Sequence, residues 1–141
     1  MAKKSVFISF DYENDKQYKF LLTALSANSN FEISFNDKSA SEINSSNISV
    51  VKAGLTRKIN EAKYTLCIIG KYANTRHKDY LEIGSKNWIN FEIAQSKKNG
   101  NKLIAIKIDN SYESPDEILN SGASWARSFT VDAITKALDE A

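Results

Sequence analysis

The sequence predicts an α/β fold in a single domain spanning residues 1–141: a mostly parallel sheet of 4–5 strands, ordered 2-1-3-4(-5), with helices on both faces. Two observations carry this expectation. Short apolar runs alternate along the chain with segments of helical period, in the order β-α-β-α-β-α-β and then a final helix. Most of those runs are apolar at nearly every position, as strands covered on both faces are. The run Phe31 to Phe35 differs, alternating Phe, Glu, Ile, Ser, Phe, and this places it at a sheet edge.

Each element has its own local reason. Ser5 to Phe10 (SVFISF) is β-branched and aromatic and reads as the first strand. Asp15 to Ala27 follows as a helix, with Tyr18, Leu21, Leu22 and Leu25 at helical spacing. After the alternating second strand, Ser39 to Asn47 reads as a loop, because its Ser and Asn side chains compete with the backbone for hydrogen bonds. Ile48, Val51, Leu55, Ile59 and Ala62 mark the second helix, and Thr65 to Ile69 (TLCII) the third strand, ended by Gly70. A third helix runs from about Lys86 to Lys98 and stops before Asn99-Gly100. Leu103 to Ile108 is the fourth strand, Ser124-Trp125 marks a short fifth, and Val131, Ile134 and Leu138 give the last helix its face. This is a flavodoxin-like order, in which ligands sit at the carboxyl ends of the strands beside the switch point. Here that means the loops after the first and third strands.

Composition narrows the chemistry. The chain has 141 residues, with 42% hydrophobic and 26% charged, enough for one core without covalent staples. Lys plus Arg number 19 against 17 Asp plus Glu, so no basic balance points to nucleic acid. One Cys and one His exclude a disulfide framework and a Cys- or multi-His metal site. No apolar run reaches membrane-spanning length, and Met-Ala-Lys-Lys begins no signal-peptide pattern. The expectation is a cytoplasmic domain with no metal, no membrane partner and no nucleic-acid partner.

The loop after the first strand, Phe10-Asp11-Tyr12-Glu13-Asn14-Asp15, lacks both the dinucleotide-binding glycine pattern and the P-loop ending. Its aromatics could stack on a ring and its carboxylates hold ribose hydroxyls; equally, Asp11 to Asp15 could simply cap the first helix. The third helix reads Trp88-Ile89-Asn90-Phe91-Glu92-Ile93. Trp88 and Glu92 lie one turn apart on one face, and no cation stands one turn from Glu92 on either side. Glu92 falls at the edge of the apolar stripe, so it either faces a cleft, partly desolvated, or snorkels to water past the Trp ring. His77 reads as a solvated loop histidine and Cys67 as a small core residue. Ser9 lies outside any nucleophile elbow, and the Lys97-Lys98 pair suits a helix C-terminus.

Three segments together resemble a Toll/interleukin-1 receptor (TIR) domain. Ser5-Val-Phe-Ile-Ser-Phe10 with its acidic turn resembles the family's opening strand, commonly Val-Phe-Ile-Ser-Tyr. Asn87 to Ile93 resembles the family's Trp-x-x-x-Glu helix, and Gly100 to Ile108 the strand after it. Within the family the chain is most similar to the TIR-like NAD-processing proteins of bacterial Thoeris antiphage defence. The resemblance implies an NAD+ nucleosidase or ADP-ribosyl cyclase type of enzyme, with NAD+ as substrate and no cofactor. Its product would be a cyclic or modified ADP-ribose that activates a separate effector. Carried over by residue, it makes Glu92 catalytic and puts Trp88, Phe10, Asp11 and Tyr12 around the nicotinamide end, with Asp37 a looser match at the end of the second strand. It also implies self-association through TIR-like surfaces.

Physical chemistry gives independent grounds for such a site. Cleaving an N-glycosidic bond passes through an oxocarbenium-like state that a nearby carboxylate stabilises, and nicotinamide leaves as a neutral molecule. The alternative is a non-catalytic TIR-like interaction module. A receiver domain is the third reading, but the third strand ends Ile68-Ile69-Gly70-Lys71, without the aspartate a receiver needs.

Overall fold

In the computed structural model, which describes residues 4–26, 33–36 and 47–141, five parallel strands form one sheet in the order β2-β1-β3-β4-β5. The strands are β1 (Lys4–Ser9), β2 (Ile33–Asn36), β3 (Tyr64–Ile69), β4 (Lys102–Lys107) and β5 (Ser124–Ala126). The helices are α1 (Tyr12–Ser26), α2 (Ile48–Glu61), α3 (Tyr80–Ile83), α4 (Trp88–Asn99) and α5 (Val131–Glu140). The expected order is found, with β2 on the edge and a three-residue fifth strand where Ser124-Trp125 suggested one.

Alternation along the central strands divides the core into two faces. Val6, Ile8 and Phe10 join Leu66, Ile68, Ile104 and Ile106 on one face, under Leu22 of α1 and Ile134 and Leu138 of α5. Phe7 points the other way, against Val51, Leu55 and Ile59 of α2 and Phe91 of α4. On that second face Cys67, Ile69, Leu103 and Ala105 meet Ile89 and Ile93 of α4. Ser9 follows Phe7 at strand period and therefore faces α4. The helical pattern in α5 is narrower than expected, because Val131 is exposed while Ile134, Ala137 and Leu138 are buried.

Several helix boundaries move for identifiable reasons. Asp11 accepts the Glu13 backbone N–H at 3.1 Å and the Asn14 Nδ2 at 2.6 Å. That cap lets α1 begin at Tyr12, three residues before the periodic segment. Its buried stripe runs Asp15, Tyr18, Lys19 and Leu22, so Leu21 is turned to solvent. Asn87 caps α4 by accepting the Asn90 N–H at 2.9 Å, which starts the helix at Trp88. The helix ends where Asn99-Gly100 indicated: Gly100 adopts φ 76, a left-handed value that only glycine takes without strain. Part of the polar run after β3 is ordered into α3, which the sequence pattern did not mark. The Ser39 to Asn47 loop, all but its last residue, lies outside the described residues.

Candidate active site

The carboxyl ends of β1 and β3 open into a cavity of about 600 Å³. Three segments line it: Phe10 to Asn14 after β1, the β3–α3 connection from Tyr72 to Lys78, and the first two turns of α4 through Glu92. This is the switch point of the sheet, where the chain leaves β1 in one direction and β3 in the other. Phe10, Asp11, Tyr12, Trp88 and Glu92, all expected from the sequence, line this single cavity. Asp37 lies outside the described residues.

Glu92 is the chemically distinctive group. Its side chain shares the α4 stripe of Ile89, Ile93 and Ser96, which packs on the sheet, and only 2% of the residue is exposed. It neither snorkels nor sits at the stripe's edge. Burial pushes its carboxyl up from about 4.5 to about 8, and a hydrogen bond from Ser9 pulls in the opposite direction. That bond, Ser9 Oγ to Glu92 Oε1 at 2.7 Å, joins two fully buried side chains. No other hydrogen bond reaches the Glu92 carboxyl among the described residues. Burial therefore favours the protonated form of Glu92 at neutral pH. A cation docked beside it would favour the carboxylate.

Aromatic rings wall the cavity around this carboxyl. Trp88 lies one turn before Glu92 and packs edge-on against Phe91, with ring centroids 5.7 Å apart. His77 meets the other side of Trp88 at 6.4 Å, so it belongs to the cavity wall and is not a free loop histidine. Its Nδ1 accepts the Asp79 backbone N–H at 2.9 Å, which orients the ring. Phe10 and Tyr12 form a second aromatic pair, 6.2 Å apart, on the β1 side. Asp11 both caps α1 and lines the cavity. Arg76 and Lys78 supply positive charge to the wall, Arg76 resting over the Tyr80 ring at 4.9 Å.

Three asparagines hold the wall in place. Asn87 donates to the carbonyls of Ala73 and Thr75 at 2.8 and 2.9 Å. Asn90 donates to the side-chain oxygens of Asn74 and Asn87, both at 3.0 Å, and accepts the Glu117 N–H at 2.9 Å. Asn74 in turn donates to Asp116 and accepts its backbone N–H. The start of α4, the cavity loop and the Asp116–Ile118 turn are thereby one buried polar network.

Behind the cavity, Asp15 of α1 is buried against Gly70, and its Oδ2 has no hydrogen-bond partner among the described residues. A Cβ at Gly70 would fall onto that carboxyl group, so the strand-end glycine makes room for the aspartate. Burial, with help from the nearby Asp11 charge, raises the Asp15 carboxyl to about 6. Cys67 is fully buried, and burial together with the Glu92 and Asp15 charges pushes its thiol up, away from any nucleophilic role.

Sequence reasoning missed Ser9, His77 and the asparagines. For Ser9 a signal existed: strand alternation puts it on the Phe7 face, which α4 covers. Asn87 before a helical run is an N-cap signal. Nothing in the spacing of His77 marked it.

The family model described as "Thoeris protein ThsB, TIR-like domain" matches residues 7–113. Among solved structures, the chain is similar to the 2-desoxiribosyltransferase from Leishmania mexicana, with TM-score 0.59, 11% identity and 97% of each chain covered. It is also similar to a prokaryotic SEFIR domain, with TM-score 0.53 and 16% identity, covering 98% of this chain and 95% of that one. At these identities the likeness is one of fold. No curated protein matches the sequence.

Proposed function

The chain belongs to the TIR-like domain family of Thoeris protein ThsB, and from that premise we propose that it cleaves NAD+ at the nicotinamide–ribose bond. The product would be an ADP-ribose derivative, cyclic or otherwise modified, that signals to a separate effector in antiphage defence. The observation that carries the reading is Glu92, a buried carboxyl beneath Trp88 at the switch-point cavity.

In this reading the nicotinamide ring packs among Trp88, Phe10 and Tyr12, and the ribose lies over Glu92. The positive charge of the bound nicotinamide draws the Glu92 proton off, because an adjacent cation favours the carboxylate. The carboxylate then faces the ribose carbon as the glycosidic bond breaks and its electron pair leaves with neutral nicotinamide. A hydroxyl, from water or from the substrate itself, then bonds through its oxygen to that carbon and gives up its proton. With a pKa near 8, Glu92 is suited to receive it. Asp11 adds negative potential on the ribose side, while Arg76 and Lys78 suit the substrate's phosphates.

The test is incubation of purified protein with NAD+, following nicotinamide release and products by mass spectrometry. Nicotinamide should appear with wild type and be lost in Glu92→Gln. Activity that survives in Glu92→Gln removes Glu92 from the catalytic role. The family premise also supports self-association, read by sedimentation with and without NAD+. A protein that oligomerises but neither binds nor cleaves millimolar NAD+ is the non-catalytic interaction module instead.

A further inference from the structure

We propose that Ser9 is a positioning residue for Glu92: its hydroxyl ties down one carboxyl oxygen and leaves the other directed to the substrate. The proposal deepens the reading of Glu92 as the catalytic carboxylate and rests on it for its consequence, though not for its geometry.

The two residues stand 83 positions apart, on β1 and on α4, yet meet at 2.7 Å with both side chains buried. Among the described residues Ser9 has no other side-chain partner, and it donates its only O–H to Oε1. Glu92 Oε2 has no hydrogen-bond partner among the described residues, and Glu92 lines the cavity. A Glu side chain has three rotatable bonds, and a carboxyl held at one oxygen cannot turn freely. The bond therefore presets the face shown to a ribose carbon, at no ordering cost when substrate arrives.

Its second effect is on acidity. The titratable and charged groups around Glu92 are Cys67 on β3 and, from the cavity wall, Asp11, Tyr12, Glu13, Tyr72, Arg76, His77 and Lys78. None of these hydrogen-bonds the Glu92 carboxyl, so Ser9 is the one described group that directly favours its ionised form. A neutral donor to a buried carboxylate is worth roughly one pH unit in its titration midpoint.

The experiment compares wild type, Ser9→Ala and Ser9→Thr by two readouts. The first is carbon-13 NMR titration of the Glu92 side-chain carboxyl, assigned with Glu92→Gln, which needs no activity. Ser9→Ala should raise the midpoint by about one pH unit, and Ser9→Thr should restore it. The second is kcat/KM for NAD+ cleavage against pH. Ser9→Ala should lose about tenfold at pH 7 but only about twofold at pH 9, as expected when the ionised fraction is what changes. An equal loss at both pH values that Ser9→Thr does not restore would mean a merely structural role. A folded Ser9→Ala with an unmoved Glu92 midpoint overturns the proposal. Ser9→Cys, near-isosteric but a weak donor, carries the same titration if Ser9→Ala does not fold. A wild type that never cleaves NAD+ sinks the catalytic reading, while the titration still decides whether Ser9 holds Glu92.

Discussion

Replacing Glu92 by Gln should abolish catalysis and stabilise the protein, and the gain should depend on pH in a defined way. The Glu92 carboxyl is raised from 4.5 to about 8 by burial, which at 1.36 kcal/mol per pH unit is about 5 kcal/mol against the ionised form. A raised folded-state pKa means that between pH 4.5 and pH 8 the folded protein binds more protons than the unfolded chain. Wild-type stability therefore falls as pH climbs through that window. Integrated to pH 7 the loss is about 3 kcal/mol, and above pH 8 it levels off near 5 kcal/mol. Gln is neutral, nearly isosteric, and its carbonyl oxygen still accepts the Ser9 hydrogen bond. Glu92→Gln should match wild type near pH 4, exceed it by about 3 kcal/mol at pH 7, and by more at pH 9. For a chain of this size that is roughly 10 °C in Tm at pH 7. Urea unfolding of both proteins at pH 4, 7 and 9 reads the difference directly. If the variant is no more stable than wild type at pH 9, or the gap does not change with pH, a cation compensates Glu92 in the folded state and the burial argument is wrong.

The cavity's supports give three further expectations. Gly70→Ala should destabilise by about 1–3 kcal/mol in urea, because the added methyl collides with the Asp15 carboxyl. Adding Asp15→Ala should recover most of that loss, a coupling a double-mutant cycle measures. Asn90→Ala removes donors from Asn74 and Asn87 and strands the Glu117 N–H, at about 2–3 kcal/mol. Hydrogen exchange of the Thr75 to Lys78 amides should quicken in that variant, since the loop loses its tie to α4. Trp88→Ala should let water reach Glu92 and lower its carbon-13 titration midpoint toward 4.5, and a midpoint still near 8 would show that Trp88 does not shield it.

Much of the fold was legible because periodicity reports burial. Strands covered on both faces leave continuous apolar runs, and Leu66 to Ile69 and Leu103 to Ile106 are such runs, all buried. The alternating Phe31 to Phe35 run marked the edge for the complementary reason, and β2 pairs with β1 alone. Leu21 failed because Asp15 and Lys19 occupy places in the buried stripe of α1 that an apolar count leaves blank. Buried polar residues carry no periodic signal, and this protein uses them where its connections meet.

The same reasoning explains why half of the candidate site was readable and half was not. Trp88 and Glu92 share a helix face by spacing alone, and Phe10, Asp11 and Tyr12 follow a strand that must end at the switch point. Those placements need only local geometry and one topological rule. Ser9 against Glu92, and Asn90 against Asn74 and Glu117, are side-chain pairings across separate elements. Their existence depends on strand register and helix rotation to within an ångström, which no single-segment pattern encodes. What spacing could not supply is what sets the chemistry. A carboxyl on a helix face becomes a buried acid with a pKa near 8 because β1 closes over it and leaves, among the described residues, a single hydroxyl as its partner.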